Sequence, residues 1–191
     1  MSRWPENSRR RLVDAAIELF AERGYAESTI EDIAVKAGVT PRTFFRYFVD
    51  KEEVLFADDD SLLPLLLAAI ADDSGPVRAE THMQAALGVL ATTIETRRIV
   101  LRRRQRIIDS QISLSGRELA KQAVWQQKVT TALVDRGFAA EQSEVLAAIG
   151  FALFRSSLHS WLADDGGSTL ALRVSEALAR VRSVMDVSSI H

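Results

Sequence analysis

The sequence predicts an all-α protein of about nine helices, and three observations predict it. Apolar residues recur at three- and four-residue steps through nearly the whole chain, the spacing that lines one face of a helix. The 191 residues include abundant Ala and Leu but only nine Gly and four Pro, a composition that favours helices over many short strands and turns. No stretch of any length alternates apolar and polar residues as a half-buried strand does. With 47% apolar residues the chain can bury a proper core.

In order along the chain, Leu12, Ala15, Ala16, Leu19 and Phe20 form the inner face of a first helix. Asn7 or Ser8 is expected to cap its start. Gly24 is expected to close it in a left-handed conformation, with Tyr25 packing back on it. Thr29 is expected to cap a short second helix, with Asp32 in its first turn and Ile30, Ile33, Ala34 and Ala37 on its buried side. Gly38 then reverses the chain. Thr40-Pro41 reads as an N-cap with Pro at the first helical position, opening a third helix over about 41–48. Asp50 is expected to cap a fourth helix, which Pro64 either kinks or splits. Five more helices follow, roughly 76–92, 93–110, 115–136, 141–163 and 169–185. The breaks fall at Ser74-Gly75-Pro76, Ser113 to Gly116, Gly137 and Asp164 to Ser168.

Several function classes lose their chemistry at once. The absence of Cys removes disulfide frameworks, thiolate metal sites and Cys nucleophiles. His82, His159 and His191 stand at no metal-ligand spacing, and no nucleophile elbow is present. No metal, cofactor or catalytic set is therefore expected, and an enzyme has no support. The longest apolar run, Leu62 to Ala71, is too short to span a bilayer and sits between Asp58-Asp59-Asp60 and Asp72-Asp73. The N-terminus lacks a secretory apolar stretch. A cytoplasmic protein without membrane contact is expected.

Two short helices joined by Ala37-Gly38-Val39-Thr40 make a helix-turn-helix signature: Gly38 allows the tight reversal, and Ala34 and Ala37 allow close approach of the helices. The N-terminal end of the second of these helices is the part that enters the major groove in this motif. There Arg42, Thr43 and Arg46 are polar or basic, while Phe44 and Phe48 pack inward. Residues 29–34, 37–40, 43–48 and 51–55, together with Phe20-Ala21-Glu22-Arg23-Gly24-Tyr25, resemble the TetR-type family of helix-turn-helix transcriptional regulators. The likeness covers about residues 8–56. It implies a DNA-binding domain over 1–56 and a helical effector-binding and dimerisation domain over 57–191. It also implies a regulator, most often a repressor, released from a double-stranded DNA operator by a small molecule. Carried over by position, Arg42 and Thr43 look like base readers, Tyr47 and Lys51 like phosphate contacts, and Thr40 and Arg46 share that surface. Thr29 would offer its hydroxyl and free N–H groups to a phosphate. Where many members carry Tyr this chain has Phe45, which exchanges a hydroxyl for packing on sugar or a thymine methyl. Arg9, Arg10 and Arg11 read equally as a solvated face or as contacts to the DNA backbone. Residues 1–49 carry eight basic and seven acidic side chains, so affinity must come from placed charges doubled in a dimer.

In the second domain Arg97, Arg98, Arg102, Arg103, Arg104 and Arg106 lie mostly opposite Val100, Leu101, Ile107 and Ile108. Arg97 and Arg104 fall on the apolar arc and are candidate ligands for an anionic or acyl effector. Residues 145–154 are apolar nearly all round, with a small-residue ridge of Ala148, Ala152 and Ser156. This helix and the last one are expected to form a homodimer interface. Arg155, read as buried beside that ridge, would need an anionic partner. With His159, Phe151 and Trp125 it completes the candidate effector residues. His82 and Met83 read as core or as pocket wall. The competing reading is an all-helical carrier of an apolar or acyl ligand without DNA binding. It explains the apolar helices but not the capped, arginine-bearing third helix.

Overall fold

A computed structural model describes residues 5–57, 59–72, 78–164 and 166–187. Nine α-helices and no strand occur among them: α1 Pro5–Arg23, α2 Ile30–Lys36, α3 Pro41–Tyr47, α4 Asp59–Ala71, α5 Ala79–Glu95, α6 Arg98–Asp109, α7 Ile112–Asp135, α8 Ala140–Ala163 and α9 Leu170–Val187. A single 3-10 turn, Glu53–Phe56, lies between α3 and α4. The chain divides into two compact units. One holds residues 1–59 and 99–118, the other 60–98 and 119–191.

In the first unit α1 packs on α2 and α3, and the 3-10 turn packs on α1. Its core is Leu12, Ala16, Leu19, Phe20, Ile33, Phe44 and Phe48, joined by Val54, Leu55 and Phe56 and by Ile107, Ile108 and Leu114 of α6 and α7. Phe20, Phe44 and Phe48 are all buried, as their spacing requires. Gly24 and Gly38 take φ values of +88° and +66°, the left-handed region that only glycine enters cheaply. Tyr25 folds back so that its ring lies 5.2 Å edge-on from Phe20. The start of α1 differs from expectation: it begins at Pro5, so Ser8 is a buried residue inside the helix rather than its cap. Asp50 does not cap a fourth α-helix: its Oδ1 accepts the Glu53 amide at 2.8 Å, at the start of a 3-10 turn whose N-cap position is Glu52. The expected single fourth helix is thus a 3-10 turn followed by α4. Pro64 lies inside α4 without splitting it, where its missing N–H removes one backbone hydrogen bond. Asp58 and the expected break at Ser74-Gly75-Pro76 lie outside the described residues.

The second unit is built on α5, α8 and α9, which all pack on one another. The expected break near residue 93 falls later, at Thr96-Arg97, and α7 begins at Ile112 and runs through Gly116 unbroken. Gly137, at φ +91°, ends α7 as expected. Gly150 of α8 sits against Met83 and Leu87 of α5, so close that a Cβ there would lie 2.3 Å from the Met83 Cε. Glu95 accepts the Ala171 amide at 2.8 Å and so caps the first turn of α9. Arg98 donates to the Trp161 carbonyl at 2.6 Å and lies 4.8 Å over the Trp161 ring. The sequence expectation that no segment can span a bilayer needs amending, because α8 is long and apolar enough by composition. Its Ala147, Gly150, Phe151, Phe154, Trp161 and Leu162 are buried in the fold, the behaviour of a core helix.

Candidate nucleic-acid interface

The interface grows from two N-caps set by residues three apart. Thr29 closes a capping box: its Oγ1 accepts the Asp32 amide at 3.1 Å, and its own amide donates to Asp32 Oδ2 at 3.1 Å. Its hydroxyl donates to the same carboxylate at 2.6 Å, and these bonds hold the Asp32 pKa below the usual carboxylate range. The hydroxyl and N–H expected to be open to a phosphate are therefore already bonded to a carboxylate. Thr40 accepts the Thr43 amide at 3.2 Å and shares a hydroxyl–hydroxyl bond of 3.1 Å with Thr43, while Pro41 fills the first helical position. Between these caps the turn Ala37-Gly38-Val39 reverses the chain, with the Val39 amide bonded to the Ala34 carbonyl at 2.9 Å.

α3 buries Phe44 and turns Arg42, Phe45 and Arg46 outward. Phe45 is 56% exposed, whereas Phe44 beside it is fully buried. Arg46 stacks on Tyr47, its guanidinium 4.8 Å over the ring, and donates to the Tyr47 hydroxyl at 2.8 Å. Lys51 points the other way. It donates to the carbonyls of Tyr25 at 2.9 Å and Ser28 at 3.1 Å, and lies 4.2 Å over the Tyr25 ring. A phosphate contact by Lys51 would have to displace one of these partners. Arg9 is likewise bonded, donating to the Ala57 carbonyl with its guanidinium 5.5 Å over Phe48. Arg10 stays exposed in an i,i+4 pair with Asp14.

Behind α3 stands a charge cluster that the sequence analysis did not single out. Arg117 at the start of α7 bonds Asp50 Oδ2 at 2.8 Å, Glu52 Oε2 at 3.0 Å and Glu53 Oε2 at 2.5 Å. Burial opposes both charged forms. The ion pairs outweigh it, raising the Arg117 pKa and lowering that of Asp50. Glu52 also accepts the Tyr25 hydroxyl at 2.9 Å; burial and this bond together push the Tyr25 pKa well up. In the sequence the only signal was three acids, Asp50, Glu52 and Glu53, close together with Lys51 as the one cation among them.

The six candidate effector residues are divided between the two units. Arg104 belongs to the first unit, where it donates to the Leu55 carbonyl, pairs with Glu118 at 3.4 Å and covers Phe56. Arg97 is exposed, Trp125 half-buried and Phe151 buried in the core of the second unit. His159 is half-buried, and Arg155 is exposed in the single chain rather than buried, so it has no need of a buried anionic partner. Phe151, Phe154 and Trp161 of the same helix are buried instead. His82 and Met83 are core, the His82 ring lying 5.8 Å from Phe138. A groove of about 770 Å³ instead runs between α4 and α7, lined by Leu67, Ala71, Thr131 and Ala132 with Lys128, Asp135 and Arg136. Lys128 and Ala132 stand four apart on α7, and Arg136 follows at the same spacing just past its end, a pattern that the sequence did contain.

A model of the bacterial regulatory proteins of the tetR family matches residues 12–57. Over 162 residues the chain is 28% identical to the transcriptional regulator MftR of Mycobacterium tuberculosis, covering 82% of this chain and 81% of that one. It is 44% identical over 46 residues to the fatty acid metabolism regulator protein of Bacillus subtilis, 24% of each chain. Among solved structures, FadR of Thermus thermophilus, a TetR-family repressor in complex with lauroyl-CoA, superposes with a TM-score of 0.58 at 24% identity, over 90% of this chain and 91% of that one. With the helix-turn-helix built as described, residues 12–57 are similar to the bacterial regulatory proteins of the tetR family, and the likeness to FadR is one of fold.

Proposed function

We propose that this protein is a homodimeric repressor that sets α3 of each subunit into the major groove of a double-stranded operator and leaves it when a small molecule binds the second unit. The observation that carries this reading is α3 itself: a capped helix, reversed from α2 at Gly38, with Phe44 buried and Arg42, Phe45 and Arg46 turned out. Arg42 reads a base edge. Phe45 packs on sugar or a thymine methyl, and the Arg46–Tyr47 stack meets the phosphates. Thr29, Thr40, Thr43 and Lys51 hold this surface in shape through the bonds described above.

Dimerisation through α8 and α9 is supported by apolar side chains that each helix leaves uncovered in one chain, Val145 and Leu172 being half exposed. The effector class we propose is an acyl chain with an anionic head. The α4–α7 groove suits it, with Leu67, Ala71 and Ala132 for the chain and Lys128 and Arg136 near the head. The FadR structure holds such a molecule.

Selection of a duplex from a randomised library, followed by anisotropy titration, tests the reading. Arg42→Ala should cost about 1–3 kcal/mol and relax specificity at one position of each half-site. Lauroyl-CoA should release the bound duplex. A protein that selects no duplex, or an Arg42→Ala variant that binds like wild type, refutes the respective assignment.

A further inference from the structure

We infer that Arg117 is a positioning residue for DNA binding: it draws the carboxylates of Asp50, Glu52 and Glu53 onto α7 and lowers their summed charge beside the phosphates that α3 meets. The inference rests on the DNA-binding reading above and adds to it a residue far outside the matched 12–57 segment.

Asp50 follows Tyr47 by three residues, so their Cα atoms are at most about 11 Å apart. That is close to one screening length, about 8–10 Å at ordinary salt, so carboxylates left loose there act on the same phosphates. The guanidinium reaches all three at 2.5–3.0 Å, and its side chain is only 25% exposed, which keeps the cluster less screened than a surface pair. Two of the three carboxylates are themselves struts. Asp50 accepts the Glu53 amide at the start of the 3-10 turn, and Glu52 holds the Tyr25 hydroxyl in the loop between α1 and α2. Tyr25 in turn lends its carbonyl to Lys51. Arg117 thus fixes the segment leaving α3 to both α7 and the loop before α2. Arg104 grips the far end of the same segment at the Leu55 carbonyl. The DNA-reading surface is completed by side chains that arrive from residues 104 and 117.

The experiment uses full-length protein and a duplex that the wild type selects from a randomised library. Affinity is measured from about 0.05 to 0.2 M salt, the range over which phosphate contacts show their salt dependence. Arg117→Met should bind about tenfold more weakly at the lowest salt, and its deficit should shrink as salt screens the added negative charge, making the salt slope shallower. Glu53→Gln in the Arg117→Met background should restore most of the affinity and the slope. A residue that only stabilises the fold would lower affinity by the same factor at every salt. That result, or wild-type affinity and slope in a folded Arg117→Met protein, overturns the inference. If Arg117→Met does not fold, Arg117→Lys carries the test: it keeps the positive charge beside the three carboxylates, so affinity at the lowest salt and the salt slope are expected to stay close to wild type, and a loss by the same factor at every salt refutes the inference. A wild type that selects no duplex refutes the DNA-binding reading instead.

Discussion

Gly150 offers the sharpest test of how the second unit is packed. Replacing it by Ala adds one methyl group to α8 and sets two effects against each other. Away from contacts, Gly→Ala in a helix interior stabilises by about 0.5–1 kcal/mol. Here the new Cβ would lie 2.3 Å from Met83 Cε, 3.1 Å from Met83 Cγ and 3.4 Å from Leu87 Cδ1. A methionine end can swing aside, but Met83, Ala86 and Leu87 are all fully buried, so the displaced methyl enters a filled core. Such overpacking costs about 1–3 kcal/mol, which exceeds the helix gain, and we expect a net loss of about 0.5–2 kcal/mol. Met83→Ala should cost about 2–5 kcal/mol on its own by opening a cavity. In that background Gly150→Ala should become neutral or stabilising, because its methyl fills part of the vacated space. Urea unfolding of the two single variants and the double variant closes the cycle and should give a coupling of about 1–3 kcal/mol. A stabilised Gly150→Ala protein, or a coupling below about 0.5 kcal/mol, would show that α5 and α8 do not cross at this pair.

Lys51→Ala should lower thermal stability and leave the salt slope of DNA binding unchanged, because the ammonium is bonded to the Tyr25 and Ser28 carbonyls; a slope reduced by about one with unchanged stability would establish a phosphate contact instead. Val145→Arg changes a half-exposed site, so the chain should fold normally but appear monomeric in light scattering; a stable dimer would move the interface off that face of α8. Stability should fall at alkaline pH through Tyr25: its folded pKa is raised above the usual 10.0, so the folded state keeps a proton that the unfolded state releases, and the contribution is full below about pH 10 and lost above it. Tyr25→Phe should abolish that part of the alkaline loss, and an unchanged profile refutes the assignment. Asp50 works in the opposite sense. Its folded pKa is lowered, so its contribution is full above about pH 4 and lost as the pH falls further, and Asp50→Asn should flatten the acid limb.

The sequence by itself determined the features that act within a few residues. The left-handed conformations of Gly24, Gly38 and Gly137, the caps at Thr29 and Thr40, and the burial of Phe20, Phe44 and Phe48 all follow from steps of one to four positions, where backbone sterics and helix periodicity leave one solution. Which helix meets which was not encoded at that range. Arg104 stands on an apolar arc that suits a ligand as well as a carbonyl, and only packing gave it Leu55 and Glu118 as partners. The acids at 50, 52 and 53 found their cation at residue 117, across sequence separations of 64 to 67. The apolar stretch of α8 could face a core, a bilayer or a second subunit; contact with α5 and α9 decided which side is buried and left Arg155 outside. Residues 99–118 joined the core of the DNA-reading unit for the same reason: hydrophobic burial is non-directional, so periodicity shows that Ile107, Ile108 and Leu114 must be covered, while the tertiary fold alone chose Leu12 and Phe56 as their neighbours in that core.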